Sequence, residues 1–237
     1  MTGFRTLFIG DVRFQIRYGF YVLYAFFTLL YTAIVAALPE SWRYEAAVVC
    51  IFSDPATLGL FFMGAVILFE KSQRVLDSIN VAPVSKTAYV AAKVCSFAVV
   101  SLAVGFAIGL ASGAVRNAVT FAAGLLLSSS LFTFAALCVA SRCGSLNAFV
   151  LGTVPVEIAG TVPGILYQFG IAVQVLQYHP SAAVIDLLRN CNAYGETLGI
   201  GGVGLRVAVL LVWNVLSFFA ARHFVRRMFS ELGGVRL

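Results

Sequence analysis

The chain has 237 residues, 61% of them hydrophobic and 11% charged, with a mean hydropathy of +0.96 and a net charge of +6. A charged fraction less than half of the ~25% usual in soluble domains excludes a soluble globular protein, whose core could not hide so much apolar surface. The positive charge does not indicate a nucleic-acid partner, because the Lys and Arg residues flank apolar runs instead of forming one patch.

Residues 1–18 come first. Phe4, Leu7, Phe8 and Val12 share one side at helical spacing, with Arg13 and Arg17 away from it, which predicts a short amphipathic helix lying on the inner membrane surface. Arg5, Asp11, Arg13 and Arg17 interrupt the apolar core that a secretory signal needs, so the first hydrophobic run is expected to be retained.

A helix needs about 20 mostly apolar residues to cross ~30 Å of hydrocarbon. Six stretches qualify. They are 19–38, closed by Pro39 and Glu40; 46–69, interrupted by Ser53, Asp54 and Pro55; 90–113, with Lys93 near its start; 118–141; 147–166; and 203–221, which ends at Arg222, His223, Arg226 and Arg227. Between the last two, 167–200 opens with "YQFGIAVQVLQYHP", a run too short to span that reads as a re-entrant or interfacial segment. A seventh span there would put the cluster from Arg222 to Arg227 on the outside, against the charge rule. The reading is an all-α polytopic membrane protein with a single transmembrane domain.

Orientation follows from the Lys and Arg at the span ends. With both termini on one side, that side holds Arg5, Arg13, Arg17, Lys71, Arg74, Lys86, Lys93, Arg142, Arg222, Arg226, Arg227 and Arg236, against Arg43, Arg116, Arg189 and Arg206 opposite. The richer side is expected to be the cytoplasm, and the protein a multi-pass component of the plasma membrane. The five cysteines are scattered, without CxxC, and read as ordinary buried thiols; a Cys50–Cys191 bridge is the alternative on one side.

The most patterned charged stretch is "FEKSQRVLDSINVAPVSKTAYVAAK", residues 69–93. On a helix starting at Glu70, Val75, Leu76 and Ile79 fall within one ~100° arc, with Lys71, Gln73, Arg74, Asp77 and Ser78 on the other side. Asn80 and Pro83 end it. Two readings stand at this point: a solvated loop with snorkelling charges, or a docking surface for a cytoplasmic protein.

A span ending in Glu70, a short helix with Leu76, then Pro83, Val84 and Ser85, Tyr89, and Lys93 entering the next span resembles the permease subunits of ABC-2 type transporters. Among them the small single-domain permeases described as fluoroquinolone export subunits are the most similar. An amphipathic start, six spans and a re-entrant element before the last are also that family's plan. Many relatives carry Gly-Thr shortly after the Glu, where this chain has Ser72, Gln73 and Arg74.

The resemblance implies a coupling helix at 70–80, seated in a groove of a separate cytoplasmic ABC ATP-binding subunit, with Glu70, Arg74, Val75, Leu76, Asp77, Ile79 and Pro83 at the contact. ATP and Mg would be held by that subunit. The chain has no GxxxxGK[ST] phosphate cradle of its own, and is expected to be a transport subunit without cofactor and without enzymatic activity. A single six-helix unit has no second half to line a pathway, which calls for a second copy or a related permease beside it.

Within the spans, ionisable and polar residues are the candidates for a substrate pathway. Glu157, between Pro155 and Pro163, could meet a cationic substrate, pair with an Arg or be protonated; Asp54 could line the pathway or cap a helix; Asn214 could line it or bridge helices, as could Ser128 to Ser130. Arg206 is expected to snorkel to the outer surface, and His179 to be a solvated loop residue. No His has a metal-ligand companion at the right spacing.

The leading reading is the membrane half of an ATP-driven exporter of a hydrophobic, amphipathic or lipid-like molecule. A non-transporting membrane anchor or assembly protein is the alternative. A membrane-embedded enzyme would want a paired carboxylate, a His cluster or HExxH, and the sequence has none of these.

Overall fold

The computed structural model describes residues 2–232. Arg236, one of the charges assigned to the inner side, lies outside them. The elements in chain order are α1 (Thr2–Arg17), α2 (Phe20–Ala37), α3 (Glu40–Ser53), a π turn (Asp54–Leu58), α4 (Gly59–Ser72), α5 (Val75–Val81), α6 (Lys86–Ala111), α7 (Ala118–Arg142), α8 (Leu146–Gln168), α9 (Val173–Leu176), α10 (Pro180–Arg189) and α11 (Ile200–Leu232). Among the described residues the only pairing of extended backbone is an isolated bridge between Cys191 and Thr197, and all five cysteines are free.

Five helices, α2, α6, α7, α8 and α11, are each long and apolar enough to cross a membrane. The expected span at 46–69 is built differently. α3 and α4 have 14 residues each, and the π turn joins them with helical dihedrals on both sides. Pro55 brings no N–H to the turn, and Gly59 N–H instead reaches back to Asp54 O, which inserts one extra residue into the coil. Three of the long helices, α6, α7 and α8, start where side-chain caps accept free N–H groups: Ser85 from Ala88, Asn117 from Val119 and Thr120, and Ser145 from Ala148.

α7 is the axis of the bundle, in contact with α4, α6, α8, α10 and α11. Small residues let the helices approach closely around it. A Cβ on Gly64 of α4 would come within 1.8 Å of the Phe149 ring of α8, and one on Gly105 of α6 within 2.6 Å of Leu125 of α7. Around this core α2, α8 and α11 expose apolar faces, including Val22, Leu29, Leu151, Ile158, Trp213 and Phe219, as suits surfaces solvated by lipid tails.

Side-chain contacts sort the loops into two ends. At one end Lys71 in the last turn of α4 reaches the end of α7, Gln73 bonds Tyr18, and Asn80 of α5 bonds the Phe229 carbonyl of α11. At the other, Glu45 of α3 meets Gln168 of α8 and Arg189 of α10. The first end holds α1 and the last turns of α11.

Two expectations change here. In α1 the side chains buried on α6 are Asp11 and Gln15, flanked by Leu7 and Phe14, while Phe4 is exposed. The packed stripe is therefore polar at its centre, rotated from the apolar side read in the sequence. In the region 167–200, Tyr167 and Gln168 belong to α8, and positive φ at Gly170 and Ala172 breaks the helix after them. The apolar run then stays at the surface as loop and the single turn α9. The buried element is α10: every residue from Pro180 to Leu188 is buried, packed on α3, α7, α8 and α11.

Candidate coupling site

The resemblance-bearing residues, spread over 24 positions in sequence, converge at the first end of the bundle. Glu70 lies in the last turn of α4, and Tyr89 and Lys93 one turn apart on α6. Lys93 is 1% exposed, and its ammonium donates to Glu70 Oε1 and to Asp11 Oδ1, each at 2.5 Å. Tyr89 OH donates to Glu70 Oε2 at 2.7 Å. One turn further along α1, Gln15 donates to Ser96 Oγ of α6 at 3.1 Å. Asp11 is not among the site residues expected from sequence, where it enters only as a charge that interrupts the apolar run of a signal segment.

Two carboxylates share one ammonium in this cluster. Burial pushes the Asp11 carboxyl up to about 6, with Lys93 pulling it down and Glu70 pushing it further up. Asp11 Oδ2 is buried without a hydrogen-bond partner, consistent with a carboxyl that is crowded by a second one.

Arg74 sits at φ +55°, an uncommon conformation for a residue with a side chain, and turns the chain from α4 into α5. α5 is held from behind. Leu76 is buried in the core and Ile79 packs on it. Asn80 Nδ2 donates to Phe229 O at 3.3 Å, and Lys86 donates to Asn80 Oδ1 at 2.8 Å while lying 4.0 Å over the Phe229 ring. Tyr89 meets the same ring edge-on.

The apolar arc read from the sequence therefore points inward. Of the residues expected at a docking contact, Arg74, Asp77 and Pro83 are exposed, Val75 and Ile79 are half-buried, and Glu70 and Leu76 are inside. The open face also holds Gln73, Ser78 and Val81, the last of which is 87% exposed and was not singled out. Lys71, grouped with the outward charges by spacing, instead donates to Ala140, Ser141 and Cys143 carbonyls at the end of α7, at 2.7, 3.0 and 2.9 Å. A cation there satisfies carbonyls that the last helical turn leaves free and matches the negative end of the helix dipole.

The candidate pathway residues stand on three elements, α11, α8 and the π turn. Asn214 is saturated between helices: its Oδ1 accepts from Ser130 Oγ, and its Nδ2 donates to Leu127 O and Leu210 O. Glu157 is half-buried on α8, where its carbonyl accepts from Thr161 Oγ1. Asp54 opens the π turn, 1% exposed, with Oδ1 lacking a hydrogen-bond partner and with Tyr24 and Tyr31 of α2 as electrostatic neighbours. Tyr24 also lines an apolar crevice of about 430 Å³ between α2 and α6, together with Tyr21, Thr28, Val100 and Val104. Among the described residues no group of three or more His, Cys, Asp or Glu could hold a metal ion.

The polar residues at the other end of the bundle are also placed. His179 is not simply solvated; its Nδ1 accepts from Ser181 N–H as the cap of α10. Arg206 does not snorkel but forms an ion pair with Asp186.

A bundle of apolar helices with a charged helix clamped at one end fits several membrane proteins. The family model described as the fluoroquinolones export permease protein family matches residues 4–231, from α1 to the end of α11. The chain belongs to that family. Two relatives from different strains of Mycobacterium tuberculosis, each named a fluoroquinolones export permease protein, are 28% identical to it over 122 residues. That stretch is 51% of this permease and 52% of each relative, so the match spans about half the length of either. Asp11, Glu70, Tyr89 and Lys93 all fall within the range of the family match.

Proposed function

We propose that the permease is the membrane-spanning subunit of an ATP-driven exporter, and that α5 is the coupling helix on which a separate cytoplasmic ABC ATP-binding subunit docks. The observation that carries this is the two-sidedness of α5. Its back is fixed to the core through Leu76, Asn80 and Phe229, and its front is a short strip of Gln73, Arg74, Asp77, Ser78, Val81 and Pro83 open to a partner. A mixed-charge strip beside an exposed apolar tip is suited to fix register and steer docking. In this reading both termini face the cytoplasm, and α3, the π turn and α4 form a sixth crossing. α10 is the re-entrant element on the outer side, ATP and Mg are held by the ATP-binding subunit, and a second copy or a related permease completes the pathway in the plasma membrane.

The cargo proposed is a hydrophobic or amphipathic small molecule, such as the fluoroquinolones for which the relatives are named. It would enter the crevice between α2 and α6 and present a cationic group towards Asp54. Glu157, half-buried on α8, is proposed to act in helix packing.

Co-expression with an ATP-binding subunit tests the docking reading. The wild-type permease should co-purify with it and stimulate its ATP hydrolysis. A double charge reversal, Arg74→Glu with Asp77→Lys, should abolish both while the permease stays monodisperse in detergent. Full stimulation by the reversed variant would show that the subunit docks elsewhere.

A further inference from the structure

We propose that Lys93 is a positioning residue for coupling: its one ammonium joins α1, α4 and α6, so that a displacement of α5 moves all three elements as a unit. The inference rests on the reading of α5 as the docking helix and deepens it.

The geometry favours transmission over simple packing. Glu70 stands five residues before the start of α5, on the rigid end of α4, and Arg74 provides a sharp turn between them. A push on α5 alone could be absorbed by bending at 73–74. Glu70, however, is bonded to Lys93 and to Tyr89, which ties the end of α4 to the second turn of α6. Lys93 carries the tie to α1, where the two buried residues, Asp11 and Gln15, both bond to α6. From the other side, Asn80 and Lys86 tie α5 to the end of α11 through Phe229.

The chemistry supports the same conclusion. Three buried ionisable groups cost desolvation energy that apolar residues of the same volume would avoid, so stability alone is a poor reason for them. What a lysine with two carboxylates supplies is direction: each bond holds only in one register, and α1 is attached through Asp11. Apolar packing between α1 and α6 would let the helices slide; the ion pair makes the attachment discrete.

The test uses the permease reconstituted in vesicles with its ATP-binding subunit, reading transport per ATP hydrolysed. Lys93→Met should leave co-purification and ATP hydrolysis in place and lower transport per ATP about tenfold, with Lys93→Arg restoring part of it. Asp11→Asn keeps the one-to-one pair of Lys93 and Glu70 but loosens α1, and should lower the ratio severalfold without loss of folded protein. If Lys93→Met does not fold, Asp11→Asn decides alone. A merely structural role predicts a lower unfolding temperature with the ratio of the folded fraction unchanged; that result in both variants, or in Asp11→Asn alone, overturns the proposal. If wild-type permease fails to bind any ATP-binding subunit, the docking reading itself falls, and this inference falls with it.

Discussion

Arg206 Nε of α11 lies 2.7 Å from Asp186 Oδ2 of α10, and the carboxylate is fully buried. Tyr167 OH of α8 donates to the same oxygen at 3.0 Å, so three helices meet at one charge. Removing one partner of a buried pair leaves the other uncompensated, which typically costs ~3–5 kcal/mol. Arg206→Met is therefore expected to lower the thermal unfolding midpoint in detergent sharply. Adding Asp186→Leu to the same variant should recover most of the loss, since no bare carboxylate remains. Equal midpoints for the single and double variants would mean that the pair is not coupled.

Acid should stabilise the cluster of Asp11, Glu70 and Lys93. Burial raises Asp11 from 3.8 to about 6, against Lys93 and with Glu70, while Tyr89 completes the groups around it. A carboxyl whose pKa is higher folded than unfolded binds its proton more tightly in the folded state. Its contribution is fully present below about 4 and is lost as pH rises through about 6. Asp186, also raised to about 6 by burial with Arg206 and Arg189 opposing, acts in the same sense, whereas burial lowers His179 and gives it the opposite sign. The comparison that isolates Asp11 is wild type against Asp11→Asn. The unfolding midpoint of wild type should rise more steeply than that of the variant as pH falls from about 7.5 to 5, and parallel slopes would remove Asp11 from the account.

At Gly64 the Phe149 ring of α8 packs directly against the α4 backbone. Gly64→Ala places a methyl group in the space of the Phe149 ring, and overpacking of this sort typically costs ~1–3 kcal/mol. A second change, Phe149→Leu, should relieve part of it. Circular-dichroism melts of the wild type and the two variants read the effect directly; a wild-type melt for Gly64→Ala would show that Phe149 can swing away freely.

Asp54 should matter for charge, not for bulk. In vesicles containing the assembled transporter, Asp54→Asn is expected to slow efflux of a cationic aromatic dye severalfold and spare a neutral analogue of the same size. Equal effects on both would assign Asp54 to holding the π turn and remove it from the pathway.

The spans were largely legible because hydrocarbon imposes a length and a composition that local sequence must satisfy. Stretches 19–38, 118–141 and 147–166 fall within three residues of α2, α7 and α8. Their ends are set by polar caps such as Asn117 and Ser145, which are local too. α11 runs eleven residues beyond its expected end at 221, to Leu232, because a helix needs no hydrocarbon to continue: Val225, Met228 and Phe229 still pack on the core. The stretch 46–69 was legible as apolar but not as two helices around a π turn, since Pro55 signals an irregularity without stating which kind.

The amphipathic pattern of 70–80 is a property of the sequence, as is the gathering of Lys and Arg at alternate span ends. Periodicity separates two sides of a helix, but it does not say which side packs on the rest of the protein and which stays open. That was decided by what stands behind α5: Leu76 found a core site, and Glu70 found Lys93. The same holds for Asp11 and Lys93, 82 positions apart, each of which taken alone reads as a surface charge on an amphipathic segment or near a span end. Local physics, hydrophobic length, caps and charge asymmetry, set the elements and their order. Only the packed bundle could choose the partners of its buried charges, because the energy of a buried ion depends on neighbours brought from distant parts of the chain.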